Sequence, residues 1–172
     1  MLSVGVVRIG YWCTLYLLNR TINMVTLRNS TKIRTTPDEI FKWLKNLDKN
    51  YREWHPDHVK WTNETENLDK GNIAYYEEYI HGEVHKSKAR IIGIEEDRRI
   101  EFANLFPMGI VCPKGSFIIE REGDHCVFTA TLSFRFGWFF SRFAKSRIKA
   151  IEMHMKEEGE NLKKLLEKRQ VQ

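Results

Sequence analysis

The chain has 172 residues, of which 42% are hydrophobic and 30% charged, with only 10 Gly and 4 Pro. That is the size and make-up of one globular domain, and it excludes a disordered, collagen-like or low-complexity chain. The net charge of +5 does not mark a nucleic-acid surface: five of the 28 Lys+Arg stand in the first 34 residues, which hold no acid, and the remaining 23 balance the 23 Asp+Glu.

Residues 1–23, MLSVGVVRIGYWCTLYLLNRTIN, are apolar and acid-free, and a second methionine, Met24, follows them. The uncharged run from Ile9 to Asn19 is too short to cross a bilayer as a helix. Arg8 inside the apolar stretch and the lack of a small-residue cleavage site argue against a secretory signal. The segment reads as an extension outside the fold, with the domain spanning 24–172. The alternative is an interfacial anchor through Trp12, Tyr16 and the flanking arginines, the one route to membrane contact. Cys13, Cys112 and Cys126 form no disulfide framework and no C-x-x-C pair, which fits a reducing, cytoplasmic setting.

From Val25 the pattern becomes regular. VTLRNSTKIR alternates as a first strand. Thr36-Pro37-Asp38-Glu39 is a helix start, with Thr36 as N-cap, Pro37 at the first helical position and Glu39 three residues after the cap. That helix turns Ile40, Phe41, Trp43, Leu44 and Leu47 inward. A short second helix covers Lys49–Trp54 and ends at Pro56. Strands follow at Val59–Asn63, Asn72–Ile80, His85–Ile94, Arg99–Asn104, Gly115–Arg121 and His125–Phe136, with turns at Glu95-Glu96-Asp97 and Glu122-Gly123-Asp124. A long helix runs from Trp138 to about Lys168. One strand, two short helices, a meander and a long terminal helix predict an α+β helix-grip fold: a curved antiparallel sheet around the C-terminal helix, enclosing a cavity for an apolar small molecule.

Within the terminal helix, Ala144, Ile148, Ile151, Met155, Leu162, Leu165 and Leu166 fall on one stripe. Glu158 lies near its centre, and His154 lies one turn earlier on the same face. An acid there needs a compensating charge. His-x-x-x-Glu on one helical face supplies two ligands to a metal ion; the competing reading is a Glu158 neutralised by a buried arginine. Glu157 and Glu160 read as solvated. Further ligand-type residues gather in Trp54-His55-Pro56-Asp57-His58 and in Tyr75-Tyr76-Glu77-Glu78-Tyr79-Ile80-His81-Gly82-Glu83-Val84-His85. If His81-Gly82 is a two-residue turn, Ile80 pairs with Glu83 and Glu78 with His85. Glu78 then shares a face with Tyr76 and Ile80, and Glu77 shares the other with Tyr79. Tyr75, Tyr76, Tyr79 and Trp61 are available to hold an aromatic ring.

The element order resembles the START-like (SRPBCC) superfamily of ligand-binding and polyketide-cyclase-type proteins. WHPDHVKW, YYEEYIHG and HMKEEGENLKKLLE resemble its diacetylphloroglucinol hydrolase (PhlG-type) branch over residues 25–168. Members of that branch are zinc-dependent hydrolases that cleave a carbon–carbon bond between an acyl group and a phenolic ring, with the metal held by two His and two Glu. The resemblance implies a metal site of His154 and Glu158, of Glu78 or its neighbour Glu77, and of His55 or His58. It implies zinc, or another divalent ion, as cofactor and an aromatic or polyketide-like ketone as substrate. Whichever of Glu77 and Glu78 is not a ligand is then the candidate proton shuttle, with Tyr76 as a second catalytic candidate. A non-catalytic carrier of an apolar ligand is the alternative.

Overall fold

The computed structural model describes residues 23–80, 82–136 and 145–169. The order is β1 (Asn23–Ile33), α1 (Pro37–Lys45), α2 (Leu47–Trp54), β2 (His58–Asn63), β3 (Ile73–Ile80), β4 (Glu83–Glu95), β5 (Arg99–Asn104), α3 (Met108–Val111), β6 (Lys114–Glu122), β7 (His125–Phe136) and α4 (Lys145–Arg169). The seven strands form one antiparallel sheet in the order β1-β7-β6-β5-β4-β3-β2. This is the helix-grip architecture that the element order predicts. Residues 1–22 and His81 lie outside the described residues, as do 137–144, where the terminal helix was expected to begin.

Local chemistry accounts for most boundaries. Thr36 has extended backbone angles, and its hydroxyl accepts the Glu39 N–H at 3.4 Å, so α1 starts at Pro37. α1 buries Ile40, Phe41, Trp43 and Leu44, and α2 buries Leu47, Tyr51 and Trp54. The two helices thereby cap one end of the sheet's inner face. β4 alternates cleanly, with Ser87, Ala89 and Ile91 buried between exposed Lys86, Lys88 and Arg90. α3 has no counterpart in the sequence reading: the apolar run around Pro107 and Gly109 carries no helical period. Asn104 holds that loop by donating to the Cys112 carbonyl and accepting from the Tyr76 hydroxyl. Cys112 and Cys126 are buried free thiols, as expected, and burial pushes the Cys112 thiol up to about 12.

Two features place the site. α4 lies against β1, where Gly159 makes the approach close: a Cβ there would stand 2.2 Å from the Thr31 hydroxyl. In β2, His58 pairs with Glu78 and Lys60 with Glu77, so Val59 is an extra, bulged residue. Without it His58 and Trp61, three apart, would face opposite sides. With it, His58 is fully enclosed and Trp61 packs on the core.

Candidate metal centre

Four side chains converge between the start of β2, the end of β3 and the middle of α4. His58 Nε2 is 3.1 Å from Glu158 Oε1, 3.3 Å from His154 Nε2 and 3.9 Å from Glu78 Oε2. His154 Nε2 is 3.8 Å from Glu158 Oε1. The partner of Glu158 is thus an imidazole and not the buried arginine that the helix alone left open.

His58 is the most constrained of the four. Its Nδ1 lies 2.9 Å from the Tyr51 main-chain carbonyl, which takes the Nδ1–H and leaves Nε2 to face the acids. The Tyr51 ring stacks on it, with centroids 3.9 Å apart and planes 6° apart. Burial pulls the His58 pKa down, but the Glu158 hydrogen bond and the charges of Glu158 and Glu78 outweigh it, and the pKa is raised. When Nε2 carries a proton, Glu158 Oε1 is placed to accept it.

Glu78 accepts from the Tyr51 hydroxyl at 2.9 Å. Burial first, and the neighbouring Glu158 second, push its pKa from 4.5 up to about 7, against the pull of His58 and Tyr51. The Tyr51 hydroxyl is in turn pushed well up by burial and by Glu78. The pKa of His154 is lowered, chiefly by burial.

The structure separates the pairs that the sequence left open. The β3–β4 register is the expected one, with Ile80 opposite Glu83 and Glu78 opposite His85. It turns Glu78 inward and Glu77 outward, where Glu77 accepts from Tyr75 and pairs with Lys86 at 3.6 Å. Glu77 is therefore not brought to the cluster, and the placement does not suit it as a proton shuttle there. Tyr76 does face inward: its ring stacks on Trp61 at 5.8 Å and its hydroxyl bonds Asn104, so it lines the interior beside the cluster. Its pKa is strongly raised by burial. Tyr75 and Tyr79 share the outer face with Glu77, and Tyr79 is exposed.

His55 is buried but differently engaged. Its Nδ1 accepts the Asp57 N–H at 3.1 Å, and its Nε2 bonds Glu157 Oε2 at 3.0 Å. Glu157, read from the sequence as merely solvated, is half exposed yet anchors this ring. Both nitrogens of His55 bond groups outside the four-residue cluster, whereas His58 turns Nε2 toward Glu158 and His154, so His58 is the better-placed ligand candidate. Asp57 and Glu157 escaped sequence reasoning because neither sits on an apolar face. The one signal for them was their adjacency to His58 and Glu158.

The donor set fits a divalent ion. Ligands around a tetrahedral zinc with bonds of 2.0–2.2 Å stand about 3.3–3.6 Å apart. The His58–Glu158, His58–His154 and His154–Glu158 separations of 3.1, 3.3 and 3.8 Å bracket that edge. His55, Asp57 and His154 form a second group of ligand-type atoms within 4.8 Å of one another, on the solvent side. A polar depression lined by residues 64–67 and 69–72 lies at the far end of β2 and β3 and shares no residue with either group. No helix among the described residues is long and apolar enough to cross a membrane.

The fold is shared with proteins of known structure. Norcoclaurine synthase from Thalictrum flavum, solved in complex with a transition state analogue, superposes with a TM-score of 0.70 at 12% identity, over 87% of this chain and 98% of that one. The Zhui aromatase/cyclase from a Streptomyces species gives 0.68 at 15% identity, over 86% and 96%. The di-domain ARO/CYC StfQ of the steffimycin biosynthetic pathway gives 0.68 at 11% identity over 87% of this chain, which spans only 52% of that longer protein. No curated protein matches the sequence. Residues 24–167 match the family described as polyketide cyclase / dehydrase and lipid transport, and the chain belongs to that family.

Proposed function

We propose that the protein is a zinc-dependent hydrolase of a small aromatic or polyketide-like ketone, of the kind that cleaves an acyl group from a phenolic ring. The observation that carries this is the convergence of His58, His154 and Glu158 at tetrahedral spacing with Glu78 beside them. Those four residues would hold the ion, in the two-His, two-Glu set that the resemblance implies. A bound divalent ion supplies a polarised carbonyl and a water of lowered pKa. The chain's own residues do the rest. Trp61 and Tyr76 offer a stacked aromatic wall to a phenolic ring. Glu78, whose pKa burial pushes up to about 7 in the metal-free protein, would give up its proton on joining the ion. Tyr51 orients both Glu78 and His58 from one side chain and one carbonyl.

Metal analysis by inductively coupled plasma spectrometry on untagged protein after zinc supplementation tests this. About one equivalent is expected, lost in both His154→Ala and Glu158→Ala with the helical circular dichroism retained. Less than about half an equivalent in the parent protein would sink the reading.

A second reading is a non-catalytic carrier of an apolar ligand. It is favoured by the contact of His58 Nε2 with Glu158 Oε1 at 3.1 Å, which can satisfy the acid without an ion. It predicts a co-purifying apolar compound, seen by mass spectrometry, whose retention is indifferent to chelators.

A further inference from the structure

The outer group of His55, Asp57, His154 and Glu157 calls for a role of its own. A histidine that offers Nε2 to a metal carries its proton on Nδ1, and that proton needs an acceptor. His58 has one in the Tyr51 carbonyl. For His154 the group facing Nδ1 is Asp57, whose Oδ2 lies 3.9 Å away. That is about an ångström beyond a hydrogen bond, a gap that side-chain rotation of the half-exposed carboxylate can close with or without an ion.

Asp57 is held for this task by its main chain. Its N–H donates to His55 Nδ1 at 3.1 Å, and its carbonyl accepts the Tyr79 N–H of β3 at 2.8 Å. His55 is itself fixed by Glu157 from α4 at 3.0 Å, and its ring lies against His154 with centroids 4.2 Å apart. The turn is thus tied to the sheet on one side and to α4 on the other, while its half-exposed carboxylate lies 3.8 Å from His55 Nδ1 and 3.9 Å from His154 Nδ1.

We propose that Asp57 is the positioning residue of the candidate metal centre: its carboxylate takes the Nδ1–H of His154 and fixes Nε2 of that ring as the bare nitrogen facing His58 and Glu158, with His55 and Glu157 as the brace. The proposal rests on the metal reading above and assigns the outer group to orientation, not to a second ion.

The test is made on the full chain. Nitrogen-15 histidine spectra of the metal-free protein above pH 7 should show His154 in the Nδ1–H tautomer. Asp57→Ala, which leaves both main-chain bonds intact, should shift it toward Nε2–H, and Asp57→Asn, which keeps a carbonyl oxygen, should restore it in part. Zinc affinity, read by chelator competition, should fall about 10–100-fold in Asp57→Ala. The same substitution in a His154→Ala background should change affinity no further. An unchanged tautomer and affinity in Asp57→Ala would overturn the proposal. So would two zinc equivalents in the parent and one in Asp57→Ala, which would make Asp57 a ligand of a second ion. If the parent binds no zinc, the metal reading falls, and the tautomer spectra alone decide the role of Asp57.

Discussion

The indole of Trp54 donates its Nε1–H to the main-chain carbonyl of Glu158, 2.9 Å away. The bond ties the end of α2 to α4 at the height of the inward acid, across 104 residues of sequence. Trp54 is 1% exposed and packs edge-on against Trp43 and His58. Trp54→Phe keeps an aromatic ring but loses the bond and part of the packing. It should lower stability by about 2 kcal/mol, read as a shifted urea midpoint at unchanged slope. A change below about 0.5 kcal/mol would mean that the tie contributes nothing.

Glu78 makes stability depend on pH. Its carboxyl in the folded protein holds a proton up to about pH 7, against 4.5 ordinarily, so the folded state binds that proton more tightly than the unfolded chain does. The stabilisation is complete below pH 4.5 and is lost as pH rises through about 7, with a total of roughly 3 kcal/mol. The raised pKa of His58 acts in the same direction. In metal-free protein, Glu78→Gln should flatten this loss and be the more stable protein at pH 8. Parallel curves for the two proteins from pH 5 to 8 would show that Glu78 does not carry the dependence.

Zinc binding, on the reading proposed above, displaces the proton that His58 Nε2 offers to Glu158 near pH 6. Because Glu78, with a pKa of about 7, also holds a proton there, calorimetry near pH 6 in buffers of different ionisation enthalpy should report release of about two protons per zinc. In Glu158→Gln the His58 proton is held less tightly, so the release should shrink along with the affinity. Binding without proton release would place the ion elsewhere.

Gly159 separates two opposed effects. In a helix interior, Gly→Ala ordinarily stabilises by about 1 kcal/mol. Here the new methyl would meet the Thr31 hydroxyl at 2.2 Å and the Asn29 side chain at 3.2 Å. The clash outweighs the propensity, so Gly159→Ala should destabilise by about 1–3 kcal/mol. Combining it with Thr31→Ala should recover part of the loss. A more stable Gly159→Ala would show that α4 can lift off β1 without cost.

The fold was legible because its signals are local. Thr36-Pro37 marks a helix start, alternation marks strands such as β4, and the apolar stripe of α4 is unmistakable. Glu158 stood out for the same reason, as an acid on an apolar face. The choice between Glu77 and Glu78 was not legible, because both faces of β3 carry tyrosines and only the burial of Tyr51 and His58 against one of them decides it. The choice between His55 and His58 rests on what each ring nitrogen bonds, two of those partners being main-chain groups that leave no trace in sequence. Tyr51 was read only as part of a short helix, since its role as a brace appears only when α2 meets β2 and β3.

The bulged Val59 has a consequence for tracing this arrangement through distant relatives. Along a regular strand, two inward side chains are separated by an even number of positions; His58 and Trp61 are separated by an odd one. At identities of 11–15% to proteins of this fold, residue-by-residue likeness discriminates poorly, whereas an odd–even count changes only when a residue is inserted or deleted. A chain that retained His and Trp here at an even spacing would have lost the extra residue and could keep both inward on an unbroken strand. One that retained the odd spacing must also have retained the kink. Counting positions between the two is therefore a sharper marker of a His58-like geometry than matching the letters around them.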